Sequence, residues 1–288
     1  MNFLNSSRFA LIGLVIATMV WGFTFTIVKS ALCDAPPFGF LAWRFLLATI
    51  MGGVILGRRF CTISKVEIFG GIICGIFLFS GFSFQTLGLV TTTASKSAFI
   101  TSISIIMVPV ILILVKVQHV RPKIWISMLM AIAGLYFVLN PSGSGITQGD
   151  ILTFGCAISF AIHIIFQDRY SKQRVDTFRF FVIQAAVVSI LSFGNHFIFE
   201  SQPIIWSTHL ITALIITALA ATLFGFGMMI QAQKVLSPSR TAIVLSLEPL
   251  FATLFAILVS GEIFTPMGWV GGGLVIAGVI LAESGEIA

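Results

Sequence analysis

The sequence predicts an all-α membrane protein with ten transmembrane helices, arranged as two inverted repeats of five helices each. Three observations lead to this prediction. Hydrophobic residues make up 58% of the 288 residues and charged residues only 9%, whereas about 25% of an average soluble protein is charged. Apolar runs of about 20 residues, long enough to cross a bilayer as a helix, follow one another along the chain. In addition, two stretches of the chain resemble each other at a constant spacing.

The predicted spans are joined by short connections that contain proline, glycine and other turn-forming residues. The spans cover residues 9–32, 38–57, 67–89, 94–116, 121–140, 149–168, 178–199, 209–235, 239–260 and 266–283. The first apolar run continues past the length of a signal peptide and lacks a small-residue cleavage site. We therefore expect it to be retained as the first span.

The positions of Lys and Arg predict the orientation in the membrane. With the N-terminus in the cytoplasm, all of the 16 basic residues except Lys29, Arg44 and Lys96 lie in or beside cytoplasmic loops. We expect a multi-pass protein of the inner (plasma) membrane with both termini cytoplasmic. These basic loops account for the net charge of +6, so the expected partners are the lipid bilayer and a small-molecule substrate, with no nucleic acid.

An internal repeat divides the chain into two halves, residues 1–140 and 141–288. Residues 95–102 (SKSAFITS) align with residues 239–246 (SRTAIVLS) at an offset of 144 positions, and the same offset aligns the Pro-x-x-Trp sequences that begin at Pro122 and Pro266. An odd number of spans in each half places the halves in opposite orientations. Inverted repeats are common in secondary transporters, where the binding site lies between the repeats near the bilayer midplane. A duplication without transport is the alternative.

The ninth span carries a carboxylate, Glu248, directly before Pro249. Glu248 lies roughly 13 Å along the helix axis from the start of the span, where a charge facing lipid costs at least ~2.5–3.5 kcal/mol. Pro249 has no N–H, so the carbonyl of Leu245 loses its helical partner. A kinked helix with an acid at its centre indicates a residue that lines a cavity. The alternative is a structural kink whose carboxyl group bonds a neighbouring helix.

Other candidate substrate-binding residues are polar or aromatic side chains deep in apolar helices. Each has a packing alternative, in which the side chain only contacts a neighbouring helix. They are Trp21 and Phe25 in span 1, Phe84 and Gln85 in span 3, Ser102 in span 4, His163 in span 6 and Gln231 in span 8.

Two basic residues, Lys29 and Arg44, fall in the outer half of the first two spans. One interpretation is structural, with each side chain paired with Asp34 or bound to the C-terminus of a helix. The other is a positive vestibule for anionic groups.

Several short motifs follow one another along the chain: Trp21-Gly22, Arg44, residues 93–98 (TASKSA), residues 246–249 (SLEP), Gly261-Glu262 and Ala277-Gly278. Their order and spacing resemble the drug/metabolite transporter superfamily, and within it the EamA family of ten-span proteins. The resemblance implies a carrier for small organic solutes, often an exporter of amino acids or related metabolites. It also implies a central cavity formed mainly by spans 1, 3, 4, 6, 8 and 9.

The expected function is therefore secondary transport of a small organic metabolite, such as an amino acid or a related amphipathic solute, by alternating access. Export is the expected direction, and an importer or exchanger of the same fold is an alternative. The sequence contains no catalytic, nucleotide-binding or metal-binding motif, so we expect neither an enzyme nor a cofactor. A lipid-modifying enzyme or a non-transporting scaffold remains a further alternative. Proton coupling through Glu248 or His163 is an additional hypothesis, and the oligomeric state is not predicted.

Overall fold

A computed structural model describes residues 7–92, 94–115, 122–139, 146–173, 175–260 and 266–283, and this part of the chain is helical without β-strands. The boundary predicted between the two halves and both chain ends lie outside the described residues. The α-helices are α1 (Ser7–Ala31), α2 (Pro37–Leu56), α3 (Lys65–Thr91), α4 (Ala94–Ser102), α5 (Ser104–Leu114), α6 (Pro122–Leu139), α7 (Gln148–Ser171), α8 (Thr177–Phe199), α9 (Thr208–Ile216), α10 (Gly225–Gln233), α11 (Pro238–Leu245), α12 (Leu247–Ser260) and α13 (Pro266–Glu283). A 3₁₀ helix covers Gly57–Thr62, and a π-helical segment covers Thr217–Phe224.

Seven segments of the described residues are long and apolar enough to cross a membrane, and the ten spans that the sequence predicts stay a prediction. They are Arg8–Ala31, Pro37–Arg59, Lys65–Thr91, Ser97–Leu114, Gln148–Ser171, Thr177–Phe199 and Thr208–Gln233. Helices α6 and α13 contain shorter apolar stretches, Pro122–Phe137 and Pro266–Leu281. Large apolar side chains such as Ile12, Val54 and Phe69 are exposed on the surface. An apolar surface of this kind suits lipid rather than water.

The helix starts follow from local sequence. Ser64 accepts the backbone N–H of Glu67, and the Glu67 carboxylate accepts the N–H of Ser64, which forms a capping box at the start of α3. Thr147 and Asp150 form the same arrangement at the start of α7. These caps satisfy N–H groups that the first turn of a helix leaves without intrahelical partners.

Two of the predicted spans are broken in the middle. Helices α4 and α5 meet at Ile103, and helices α11 and α12 meet at Ser246. The second break directly follows Leu245, whose carbonyl has no helical partner because residue 249 is a proline. The first break lies six residues before its proline, Pro109, so the lost hydrogen bond of a proline does not explain it in the same way.

The helix boundaries recur at the offset seen in the sequence. Adding 144 to the bounds of α6 gives those of α13. The same offset brings the break at Ile103 to within one residue of the break at Ser246. The similarity of residues 95–102 to residues 239–246 therefore extends to where the helices begin, break and end.

Two carboxylates connect α8 to helices of the first half of the chain. The Glu67 carboxylate, at the start of α3, accepts a hydrogen bond from Arg179 Nε at 3.0 Å and another from the Asp176 N–H at 2.8 Å. At the other end of α8, Glu200 accepts the N–H groups of Phe38 and Gly39, at 2.8 and 3.0 Å. One end of α8 is thus held to α3 and the other end to α2, and both of these helices contribute to the central cavity.

Candidate functional site

A cavity lies among the central helices and has about 780 Å³ of empty space, including its open part. Side chains from both halves of the chain line it: Trp21, Thr24, Phe25, Val28, Arg44, Phe82, Gln85, Leu89, Thr101, Ser102, Ser104 and Ile105 from the first half, and Phe160, His163, Ile164, Phe226, Met229, Leu245 and Glu248 from the second.

The cavity extends along α1 from Trp21 to Val28, which is about 10 Å at the rise of an α-helix. Val28 and Leu89 lie close to the ends of α1 and α3, respectively. The cavity therefore reaches from the middle of these helices toward the face of the protein where α1 and α3 end. In the predicted orientation, this is the non-cytoplasmic face.

The π-helical segment Thr217–Phe224 holds two of the lining side chains. The indole N–H of Trp21 donates to the carbonyl of Ala221 at 2.6 Å, and Nε of Arg44 donates to Thr222 Oγ1 at 2.8 Å. Short π-helical segments are rare and occur often at functional sites. This segment thus holds one side chain of α1 and one of α2 on the cavity wall.

Aromatic rings form the apolar part of the wall. Phe226 packs against Trp21, with ring centroids 5.1 Å apart, and against Phe82 at 5.8 Å. Phe160 meets Phe82 edge-on at 5.3 Å. Tilted and edge-on contacts at these distances are favourable for aromatic pairs, so the wall is both apolar and well packed.

Glu248 lies on the wall at the start of α12, directly after the break in the ninth span. Gln85 of α3 and Thr101 of α4 add polar groups to the lining. Gln85 is in contact with Thr101 at 3.5 Å, and Thr101 Oγ1 lies 3.7 Å from Cys156 Sγ. The broken helix thus places a carboxylate in a cavity rather than in lipid, as its depth in the sequence predicts.

His163 is almost fully buried and has one hydrogen-bond partner among the described residues, the side-chain oxygen of Gln184, at 3.0 Å from Nε2. Its ring also contacts Phe226 edge-on at 6.1 Å. The side chain therefore has a structural partner in α8 as well as a place on the cavity wall.

Lys29 and Arg44, which each had two interpretations from the sequence, take different positions in the structure. Lys29 donates to the carbonyls of Leu89 and Thr92 at the end of α3, which agrees with the structural interpretation. Arg44 lines the cavity instead. Neither residue pairs with Asp34, whose carboxylate accepts a hydrogen bond from Ser207.

Six of the eight candidate residues line the cavity: Trp21, Phe25, Gln85, Ser102, His163 and Glu248. Phe84 and Gln231 do not. Phe84 is packed where a side chain at Gly155 of α7 would contact its ring, and Gln231 accepts a hydrogen bond from Thr177 at 3.1 Å. Whether the six residues bind a substrate stays a prediction.

Several residues of the lining were not among those predicted from the sequence. Thr24, Phe82, Thr101, Ser104, Phe160 and Phe226 all contribute to it. Thr24, three residues after Trp21, could have been found from the helical face that Trp21 defines. The phenylalanines carry no such signal, because the chain contains 29 of them.

These features define a membrane protein built from apolar helices around a central cavity. The sequence pattern of the EamA-like transporter family matches residues 8–140 and 147–283. The chain belongs to this family, and it is a membrane transporter rather than an enzyme.

Individual relatives agree with the family. An uncharacterized transporter of Archaeoglobus fulgidus is 34% identical over 276 residues, which cover 96% of this chain and 86% of that protein. The uncharacterized transporter YoaV of Bacillus subtilis is 22% identical, over 94% of this chain and 95% of its own length. A solved crystal structure with 18% sequence identity matches 97% of this chain and 98% of its own, with a TM-score of 0.80, so the two chains share a fold.

Proposed function

We propose that this transporter is a secondary carrier of the inner membrane that exports small amphipathic metabolites by alternating access, with amino acids as the first class of solute to test. Its two halves, residues 1–140 and 141–288, are proposed to be inverted five-helix repeats that rock about the cavity. Both termini are proposed to lie in the cytoplasm.

One observation carries the proposal: a single cavity is lined by residues of both matched segments, and it combines aromatic walls with a few polar groups. Sites for small molecules are typically apolar, with a small number of polar groups that fix the orientation of the ligand. The matching helix boundaries at an offset of 144 support the repeat. The breaks at Ile103 and Ser246 provide bends next to the cavity, as expected of discontinuous transporter helices.

The test is solute flux in proteoliposomes that contain the purified protein. Vesicles are loaded with a panel of amino acids, and counterflow of each labelled amino acid is measured against protein-free vesicles. We expect accumulation of at least one amphipathic member of the panel. If no member moves faster than in protein-free vesicles, the proposed substrate class is wrong.

The first variant to compare is Glu248→Gln, which removes the carboxylate and keeps the shape of the side chain. Because Glu248 is on the cavity wall, we expect flux to fall by about tenfold or more, equivalent to about 1.4 kcal/mol or more, with normal folding. Thr253→Val is the matched control, because Thr253 lies on the same helix, donates to the carbonyl of Pro249 and does not line the cavity. Undiminished flux in folded Glu248→Gln would remove Glu248 from the site.

Proton coupling through Glu248 or His163 is a separate part of the proposal. Both side chains line the cavity, and both can change charge. An acid jump outside the vesicles is expected to drive solute flux together with a proton flux that a pH-sensitive dye reports. Solute flux without proton flux would leave a uniporter or an exchanger.

A further inference from the structure

The side chain of Arg44 is buried but makes few hydrogen bonds. It is 3% exposed, and among the described residues its guanidinium has one acceptor, Thr222 Oγ1, which takes the Nε–H. A guanidinium carries five N–H donors and remains charged in proteins. The four N–H groups at its planar end therefore have no acceptor in the described part of the protein.

The surroundings of Arg44 do not neutralise its charge. No carboxylate of the described residues lies within ion-pair distance of it. Its charge lies over two aromatic rings, 4.7 Å from the centroid of Phe82 and 5.3 Å from that of Phe45. Such contacts stabilise a cation, but they accept no hydrogen bond in the plane of the guanidinium.

A buried basic group at membrane depth is costly unless it has a partner or faces water. Lys29, the other basic residue in the outer half of the first two spans, donates a hydrogen bond to a carbonyl at the end of α3. Arg44 instead lines the cavity, where Thr222 accepts the Nε–H and no other described residue accepts a hydrogen bond from the two outer nitrogens of the guanidinium. An arrangement of this kind is suited to accept an anion that enters the cavity.

We propose that Arg44 is an anion-binding subsite of the cavity and that it takes the carboxylate of the transported solute. A carboxylate has two coplanar oxygens that match the two outer nitrogens of a guanidinium, and such bidentate pairs are among the strongest hydrogen-bonded contacts in proteins. The aromatic rings of Trp21, Phe82 and Phe226 then face the apolar body of the solute. This inference rests on the proposed transport function, because it assigns a chemical group of the substrate to one residue.

The experiment measures binding at equilibrium, without transport, to the full-length protein in detergent. The probes are 3-phenylpropionate and its uncharged amide, L-phenylalanine and L-phenylalaninamide, and 2-phenylethylphosphonate. We expect the wild-type protein to bind each carboxylate about tenfold more tightly, or more, than its amide. The phosphonate distinguishes a site for carboxylates from one for any compact anion, such as phosphate: tighter binding of the phosphonate than of 3-phenylpropionate would overturn the assignment to carboxylates.

The decisive variant is Arg44→Gln, which is expected to bring the ratio of carboxylate to amide affinity close to one while amide affinity changes little. Arg8→Gln is the charge-matched control, because Arg8 is exposed near the start of α1 and its loss is expected to leave the ratio unchanged. Arg44→Lys keeps the charge but lacks the planar fork, and we expect an intermediate ratio. If Arg44→Gln does not fold, an unchanged ratio in Arg44→Lys contradicts the proposal.

Two outcomes separate this inference from the proposed function. If the wild-type protein does not prefer carboxylates, or if folded Arg44→Gln keeps the preference, the anion site is wrong even when vesicles show carrier-dependent flux of amides or amines. If carboxylates bind in an Arg44-dependent manner but none of the panel crosses the membrane in proteoliposomes, the site stands and the carrier proposal fails.

Discussion

Trp21 lies on the cavity wall and also makes a structural contact with another helix. Its ring lies on the cavity wall beside Phe226, and its N–H ties α1 to the carbonyl of Ala221 in the π-helical segment. A buried side chain with one polar atom can do both only when a partner lies at the right place. Here the partner is 200 residues away in the chain.

We predict that Trp21→Phe destabilises the protein by about 1 kcal/mol or more, because the substitution keeps an aromatic ring but removes the donor to a buried carbonyl. The measurement is thermal unfolding in detergent, followed by size-exclusion chromatography. Trp206→Phe is the control, since Trp206 is 53% exposed. Equal losses in both variants would mean that the indole N–H of Trp21 contributes nothing specific.

Arg44 and Glu248 contribute one basic and one acidic side chain to the same cavity without forming an ion pair with each other within 4 Å. If they did pair, each would satisfy the other and neither would be available to a ligand. Their separation leaves one cationic and one acidic position on an otherwise mostly apolar wall. Both side chains can therefore contact a ligand in the cavity, which the transport and binding experiments test.

At the scale of helices, α1 and α12 approach each other closely beside the cavity. A Cβ at Gly22 would lie 2.6 Å from the carbonyl oxygen of Glu248 and 2.8 Å from the backbone N of Ala252. Backbone atoms cannot move aside as a flexible side chain can. Gly22 is therefore what allows α1 to pack against the helix that carries Glu248.

We predict that Gly22→Ala separates α1 from α12 and destabilises the protein by about 1–3 kcal/mol, the usual cost of overpacking. Gly53→Ala is the matched control, because it is also a helical glycine and a Cβ there has no neighbour within 4 Å. Alanine has the higher helix propensity, so this control should be neutral or slightly stabilising. Thermal unfolding of both variants is the measurement, and a stable Gly22→Ala protein with full flux would show that this packing is not needed.

The connection between α1 and α2 is held to the start of α9 by Asp34. Its carboxylate accepts a hydrogen bond from Ser207 at 2.6 Å and lies 3.3 Å from His209. The hydrogen bond from Ser207 is the main cause that lowers the pKa of Asp34 below its usual value, and His209 adds to it.

A carboxyl group whose pKa is lower in the folded state stabilises that state at a pH above its unfolded pKa, and this stabilisation is lost as the pH falls through the folded pKa. We therefore predict that the melting temperature decreases as the pH drops below about 4. The substitution Asp34→Asn is expected to make this decrease smaller. The measurement is the melting temperature from pH 7 to pH 3. Identical acid-side curves for the two proteins would show that Asp34 contributes nothing to the decrease.

At the scale of the whole molecule, the proposed orientation can be tested with a native cysteine. Cys33 is exposed and lies in the connection after α1, whereas Cys74 and Cys156 are buried. With the N-terminus in the cytoplasm, this connection lies outside. We predict that a membrane-impermeant maleimide labels the protein in intact cells, and that Cys33→Ser abolishes this labelling.

A reporter fused after Ala288 tests the other end of the chain and is expected to read as cytoplasmic. Labelling of Cys33 only after permeabilisation, or a reporter that reads as periplasmic, would reverse the orientation. In the reversed orientation the cavity would extend toward the cytoplasmic face, because it reaches toward the face where α1 and α3 end.

The sequence alone determined that the chain is a helical membrane protein, because hydropathy and span length are local properties. It also determined that Glu248 is unsuited to a lipid-facing surface, since its depth and the following proline can be read from spacing. In the structure, six of the eight chosen side chains line one cavity. Depth was therefore a better guide to these residues than any single motif.

Only the tertiary structure decided which face of each helix meets the cavity. Phe84 and Gln85 are neighbours and point about 100° apart on a helix, and only Gln85 reaches the lining. The π-helical segment left no mark in the sequence pattern, although it positions both Trp21 and Arg44. Lys29 and Arg44 had the same two interpretations, because a sequence indicates how deep a residue lies in a span but not which side chains it contacts. The packing of helices that are far apart in the sequence decided between them. Lys29 binds a carbonyl at the end of α3, and Arg44 lines the cavity.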